Sequence, residues 1–332
     1  MNLLENSGFE QLDSYEAIRA FRDDAMQDVV NSHVKLNEFH ELLMLRVTKI
    51  ALEKTKSEWG EPPTHFAFFL MGSAARREQS VWSDQDHGII YEQASEEAKE
   101  YFLKLGQELT VGFEIVGYTL CDGKVMASNP FWCKSSKEWE EQLKQWMEKS
   151  SWTTLRHLIT FFDSRVLVGD EQLLEYLKTI IFHEIATSPV LLQRLMDNVG
   201  RVKKVIGVFG QLLVETKGIH TGKIHLKNYA FFPYVNSIRL LAMKGNISEP
   251  STLSRLQKLP KQIRLNYESD FQKLLDYRVR MQANQKNYED VHYLDVQALS
   301  SKEKKELKSI IKNGYKLHQE TKKWIEKGCS SW

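Results

Sequence analysis

The sequence predicts an α+β fold, with helices at the N-terminus, a sheet-bearing domain in the first half and a helical bundle in the second. Three observations carry this. Residues 14–57 place apolar side chains at helical spacing, residues 65–165 hold short apolar runs bounded by proline and glycine, and after about residue 170 those runs give way to long amphipathic stretches. A chain of 332 residues, 42% hydrophobic, is long enough for two modest cores. The boundaries expected are 1–60 for an N-terminal helical segment, 61–170 for the sheet domain and 171–332 for the helical domain.

Each element has its own signal. Leu36, Phe39, Leu43, Val47 and Leu52 recur close to a spacing of three to four, which predicts one or two amphipathic helices over 14–57, stopped by Glu61-Pro-Pro63. The apolar, aromatic run 65–71 reads as a buried strand and 83–91 as a second. A helix follows over 94–113, with Phe102, Leu105, Leu109 and Phe113 on one face. Asp122-Gly123 between 118–121 and 124–126 signals a hairpin. Ser135 and Glu138 form a capping box ahead of Trp139, Leu143 and Trp146, and 158–165 reads as the last strand. In the second half, Ser188 reads as an N-cap before Pro189, with Leu195, Val199, Val202, Ile206, Phe209 and Leu213 continuing the helical period. Further helices are expected over 233–244, 251–258, 262–285 and 300–327.

Composition narrows the function classes. Lys plus Arg total 45 against 44 Asp plus Glu, so no global field draws nucleic acid or an anionic membrane, and any phosphate binding must be local. Cys121, Cys133 and Cys329 are odd in number and lack CxxC spacing, which argues against a disulfide framework or a zinc site and fits a reducing cytoplasm. The first residues are acidic where a signal peptide is basic, and no window reaches the roughly eighteen uninterrupted apolar residues of a membrane span. A soluble, cytoplasmic chain is expected.

The chemistry concentrates in residues 71–86, MGSAARREQSVWSDQD. Side chains two apart on a strand share a face, so Asp84 and Asp86 should project together with Cα atoms about 7 Å apart. Two adjacent carboxylates repel unless a divalent cation sits between them, and an oxygen-only pair suits Mg²⁺, or Mn²⁺, with substrate phosphates completing the shell. Gly72-Ser73 lets backbone approach a ligand, and 74–78 can begin a helix whose free N–H groups face a phosphate. His87 falls on the opposite strand face and reads as structural, as do Trp139 and Trp146, whose helical spacing marks core rather than a base-stacking platform.

Gly72-Ser73, a ten-residue gap and Asp84-Gln-Asp86 resemble the signature of the polymerase-beta-type nucleotidyltransferase superfamily. More narrowly, GS-x-x-R-x-EQ-x-x-x-SDQD is similar to a nucleotidyltransferase family related to the PII-protein uridylyltransferase and the glutamine synthetase adenylyltransferase, and often joined in longer proteins to cyclic-nucleotide-binding and CBS domains. The resemblance continues through 121–132, Phe161-Phe-Asp-Ser-Arg165 with Gly169-Asp170, His225-Leu-Lys-Asn228 and Arg239-Leu-Leu-Ala242, and so covers about 20–327.

The resemblance implies a polymerase-beta-like domain with a mixed sheet and a helical substrate-binding-like domain. It implies that Asp84, Asp86 and a third acid, Asp163, are the catalytic carboxylates and hold Mg²⁺ or Mn²⁺ with a nucleoside triphosphate. Gly72, Ser73, Arg76 and Ser83 would contact the nucleotide, with Glu78, Gln79 and Lys227 in supporting roles. The reaction implied moves a nucleoside monophosphate, AMP or UMP first, to a hydroxyl on a protein or small molecule and releases pyrophosphate. One position departs from the pattern: members carry glycine before the arginine, where this chain has Ala75. A position needing positive φ would strain alanine, whereas a helical one would favour it.

Other readings stand beside this one. A catalytically silent nucleotide-binding regulatory or scaffolding module would keep the fold without turnover, and Ala75 is its main support. Template-linked activity on RNA ranks third for want of a basic, aromatic-interleaved stripe. Asp163 can instead pair with Arg165, Asn129-Pro130 reads as a turn, and Lys227 and Arg239 read as solvated helix charges before any cleft role. The amphipathic N-terminal helices can cover the chain's own core or join a second copy as a homo-oligomer.

Overall fold

Serine caps set the starts of the helices that surround the sheet. In the computed structural model, which describes residues 9–200, 202, 205–208, 210–282, 288 and 290–328, the chain forms two units, Met1–Glu148 with Thr160–Ile180, and Lys149–Ile159 with Ile181–Trp332. In the first, Ser14 and Ser32 accept the N–H groups of Ala17 and Lys35 and open α1 (Tyr15–Val29) and α2 (His33–Trp59). The N-terminal helices thus belong to the same unit as the sheet, and Leu36, Phe39, Leu43 and Val47 are all buried in it.

After α2 comes β1 (Phe66–Leu70), a single helical turn α3 (Gly72–Ala75), β2 (His87–Tyr91) and α4 (Glu96–Val116), capped by Ser95 and ended by left-handed Gly117. The Ser135–Glu138 capping box links β3 (Cys133–Ser135) to α5 (Ser136–Lys149), Ser135 Oγ donating to Glu138 Oε2 at 2.7 Å while accepting Glu138 N–H. Then follow α6 (Trp152–Phe162), β4 (Arg165–Gly169) and α7 (Glu171–Thr187). Among the described residues these strands form a four-stranded mixed sheet of order β3-β2-β1-β4, antiparallel at both edges of β1 and parallel between β2 and β3. Gly169, at φ 107, lets β4 close on β1, because a Cβ there would stand 2.1 Å from the Phe66 carbonyl oxygen. Phe69 meets Trp139 and Phe161 at 5.8 and 5.7 Å, so Trp139 and Trp146, both buried, are core as expected.

The second unit is helical, as expected, around a core that includes Ile224, Tyr234, Phe271 and Leu317. It contains α8 (Pro189–Val199), β5 (Lys223–His225), a π-helical turn at Lys227–Phe231, α9 (Phe232–Lys244), α10 (Thr252–Lys258), α11 (Lys261–Gln282), β6 (Tyr293–Asp295) and α12 (Ser301–Glu326), the last opened by a Ser300–Glu303 capping box. No helix among the described residues is long and apolar enough to cross a membrane.

Five expectations need correction. The run 158–165 is helical to Phe162 and extended only from Arg165; a short apolar run has no period of its own, and the reciprocal Ser151–Thr154 bonds mark a helix start at Trp152. The strand expected over 83–91 is continuous only from His87: Met71 N–H still reaches Asp86 O at 2.8 Å, but the chain then turns into α3 at Gly72, and Asp84 bridges Thr119 instead. The Asp122-Gly123 turn forms, with Lys124 N–H reaching Cys121 O at 2.8 Å, but its flanks do not pair with each other. Instead Thr119 exchanges bonds with Ser83 O and Gln85 N–H, and Val125 O accepts His87 N–H. The helical period through Val202, Ile206 and Leu213 breaks after Val199, because the glycines at 200, 207 and 210 favour the turn that pairs Ile206 with Leu212; Phe209 lies outside the described residues, and Ser188 makes no side-chain capping bond. Finally, β5 and β6 pair where no strand was expected.

Candidate active site

The two acids are aimed by alternation. From Ser83 to His87 the odd positions are buried, while Asp84 and Asp86 are partly exposed on the other face. Gln85 secures the inner face by donating to Thr110 O and Tyr118 O at 3.3 and 3.2 Å. His87 shares a hydrogen bond with Gln85 Oε1 and accepts the Ala127 N–H, and burial lowers its pKa to about 3, so it is a neutral structural group as expected. Asp84 is bridged in parallel to Thr119, which carries Cys121 alongside Asp86 two residues further on. One donor atom from each of Asp84, Asp86 and Cys121 lies within 4.8 Å of the others. The thiol is held up at about 12 by burial, and then by the charge of Asp86 and a hydrogen bond to it.

Gly72 gives the acids their room. At φ 56, a Cβ there would stand 2.2 Å from Asp86 Oδ2, so the carboxylate occupies space that only glycine leaves open. Ser73 and Ser83 approach through their hydroxyls at 3.4 Å, Ser83 buried. Ala75 is fully buried within α3 and does not have positive φ, so alanine is unstrained there.

Between turn and acids, residues 76–81 are held by side chains from several elements. Arg76 donates to Glu78 at 2.8 Å and to Asp163 at 2.6 Å, with side-chain exposures of 11%, 2% and 1%. Burial alone would lower the Arg76 pKa, but the charges of Glu78 and then Asp163 outweigh it and push it up. The residues expected as third metal acid and phosphate contact are therefore bonded to each other. Arg165 instead forms a two-pronged pair with Glu41 at 2.7 and 2.6 Å.

Three buried side chains of α1 and α2 then grip consecutive residues. Asn37 Oδ1 accepts Gln79 N–H at 2.9 Å, His40 bonds Ser80 O at 3.0 Å, and Arg22 donates to Val81 O at 3.0 Å while lying over the Trp82 ring. Because Ser80 O only accepts, His40 carries its proton on Nε2 and accepts from Tyr118 O–H on Nδ1. Burial, then the nearby Arg22 charge, lowers the His40 pKa to about 3. Neither these grips nor Cys121 were legible as function in the sequence, yet each has a trace there. His40 falls on the buried stripe of Leu36, Leu43 and Val47, where a polar side chain needs a partner, and Cys121 immediately precedes an Asp-Gly turn.

Lys227 and Arg239 lie in the second unit. Lys227 opens the π-helical turn, where its charge adds to burial in lowering the pKa of His225 and His292; Arg239, expected as a solvated helix charge, is instead buried and donates to Asn236 at 2.7 Å.

The donor set of Asp84 and Asp86 fits a divalent cation: hard oxygens converge on one face, with the adjacent backbone kept clear at Gly72. No curated protein matches the chain. Two family descriptions do, "Putative nucleotidyltransferase DUF294" over residues 18–152 and "Putative nucleotidyltransferase substrate binding domain" over residues 189–324. The first match contains the Gly-Ser turn, both acids, Cys121 and the gripping helices, and the second takes in most of the helical unit. With the two matches together taking in most of the chain, it belongs to this nucleotidyltransferase family.

Proposed function

We propose that this nucleotidyltransferase moves AMP or UMP from the corresponding triphosphate to a hydroxyl on a protein or small molecule, with Asp84 and Asp86 as the residues that hold a divalent cation, Mg²⁺ or Mn²⁺. The observation that carries the reading is the convergence of the two carboxylates against Gly72 and Ser73 on the face opposite Gln85 and His87. When bound, a divalent cation neutralises triphosphate charge and acidifies the acceptor hydroxyl.

The chain's own residues do the rest. Gly72, Ser73 and Ser83 line the approach to the β- and γ-phosphates, and a carboxylate of the acid pair takes the acceptor's proton. The acceptor oxygen bonds to the α-phosphorus, and the bond from that phosphorus to the bridging oxygen breaks as pyrophosphate departs. Asp163 and Glu78 fix Arg76, and through it the loop that leads to the acids. The silent-module reading loses its main support, because Ala75 sits unstrained in a helical turn.

The test is thermal stabilisation by ATP, UTP, GTP and CTP, with and without Mg²⁺ or Mn²⁺, on the wild type and on Asp84→Asn/Asp86→Asn, followed by pyrophosphate release with the stabilising nucleotide. The reading expects one nucleotide to stabilise only with cation and both aspartates. Stabilisation that persists in the double variant, or that never appears, overturns it.

A further inference from the structure

We propose that Cys121 is the third protein donor to the cation held by Asp84 and Asp86, so that the site takes a first-row transition-metal cation in preference to Mg²⁺. The inference rests on the cation-binding reading above and goes beyond it in naming a donor and the metal class that follows from it.

Three observations converge on Cys121. The parallel Asp84–Thr119 bridge sets the register, and the Asp122-Gly123 turn, closed from Lys124 to Cys121 O, presents the sulfur to the same face as both carboxylates. The acid that a third corner calls for, Asp163, is already bonded to Arg76 between buried side chains. Among the described residues, Asp84, Asp86 and Cys121 are the group whose donor atoms come within 4.8 Å of one another; Cys133 is buried in β3 and is not part of it.

The consequence is a matter of ligand chemistry. Mg²⁺ demands hard oxygens and near-octahedral geometry, and gains little from sulfur. Transition-metal cations bind a mixed carboxylate–thiolate set more tightly, and coordination releases the thiol proton to solvent. Phosphate oxygens of a bound triphosphate would still complete the shell.

The experiment is a titration of the full chain with Co²⁺, read by its thiolate-to-metal charge-transfer absorption, and with Mn²⁺, read by electron paramagnetic resonance, for the wild type, C121S, C121A, C121D and D84N/D86N. Circular dichroism confirms that each variant is folded. The proposal expects a charge-transfer band in the wild type that C121S, C121A and D84N/D86N lack. It also expects Mn²⁺ affinity to fall at least ~10-fold in C121A, the size of effect that even outer-shell partners produce. C121D should restore binding and move the preference toward Mg²⁺. Cation binding that needs Asp84 and Asp86 but shows no thiolate band, with C121A within about twofold of wild type, overturns the third donor and leaves the proposed function standing. A band that survives in D84N/D86N also overturns it. No cation binding by the wild type, with or without nucleotide, takes down both.

Discussion

Arg76→Met tests how the motif loop is held. Arg76 is the shared partner of two carboxylates that are 2% and 1% exposed, and its own side chain is only 11% exposed, so neither acid can turn to water when the guanidinium is removed. Breaking a buried pair by deleting one partner costs roughly 3–5 kcal/mol, most of it the uncompensated charge left behind. In a unit of this size about 1 kcal/mol moves the midpoint by roughly 2–4 °C, so the first unit should melt roughly 6–20 °C lower at neutral pH. The assay is urea and thermal unfolding of R76M beside the triple variant R76M/E78Q/D163N, in which both carboxylates become amides. The triple variant should recover more than half of the loss. A loss under about 1 kcal/mol in R76M, the value of an exposed pair, would refute the reasoning, as would a triple variant no more stable than R76M.

Three further outcomes follow from the same geometry. The folded-state pKa values of His40 and His87, about 3, lie below the unfolded value of 6.5, so between those limits the unfolded chain carries the extra protons. Stability should therefore fall as pH drops below 6.5, and H40Q should flatten the slope by about 1.4 kcal/mol per pH unit, which urea midpoints at pH 7, 6 and 5 will read. Gly72→Ala forces positive φ on an L-residue and a Cβ into Asp86, so it should cost about 1–2 kcal/mol in unfolding and remove cation binding in a Mn²⁺ titration. Asn37→Ala strands the buried Gln79 N–H and should cost about 1–3 kcal/mol, whereas Asn37→Asp keeps that acceptor but loses the Nδ2 donor to His33 O and should recover only part of it in the same denaturation series.

Much of the helical framework could be read from local pattern. The helices over 233–244, 251–258 and 300–327 lie within a residue or so of α9, α10 and α12, because a cap, an apolar stripe and a stop signal are written in neighbouring residues. Where local signals compete, the reading failed: Leu158 to Phe162 is equally apolar as helix or strand, and glycines interrupt the stripe that runs past Val199.

The sequence by itself determined the site's core, because the Gly72-Ser73 turn and the alternation that separates Asp84 and Asp86 from Gln85 and His87 are properties of one short segment, and strand period fixes which side chains share a face. Only the tertiary structure decided their partners. That Arg76 bonds Asp163, that His40 and Arg22 grip the carbonyls of Ser80 and Val81, and that Cys121 stands beside Asp86 all depend on segments 40 to 87 residues apart along the chain or on an isolated bridge outside the four strands. Such pairings are selected by the need to satisfy every buried polar group at once, a condition set by the assembled core.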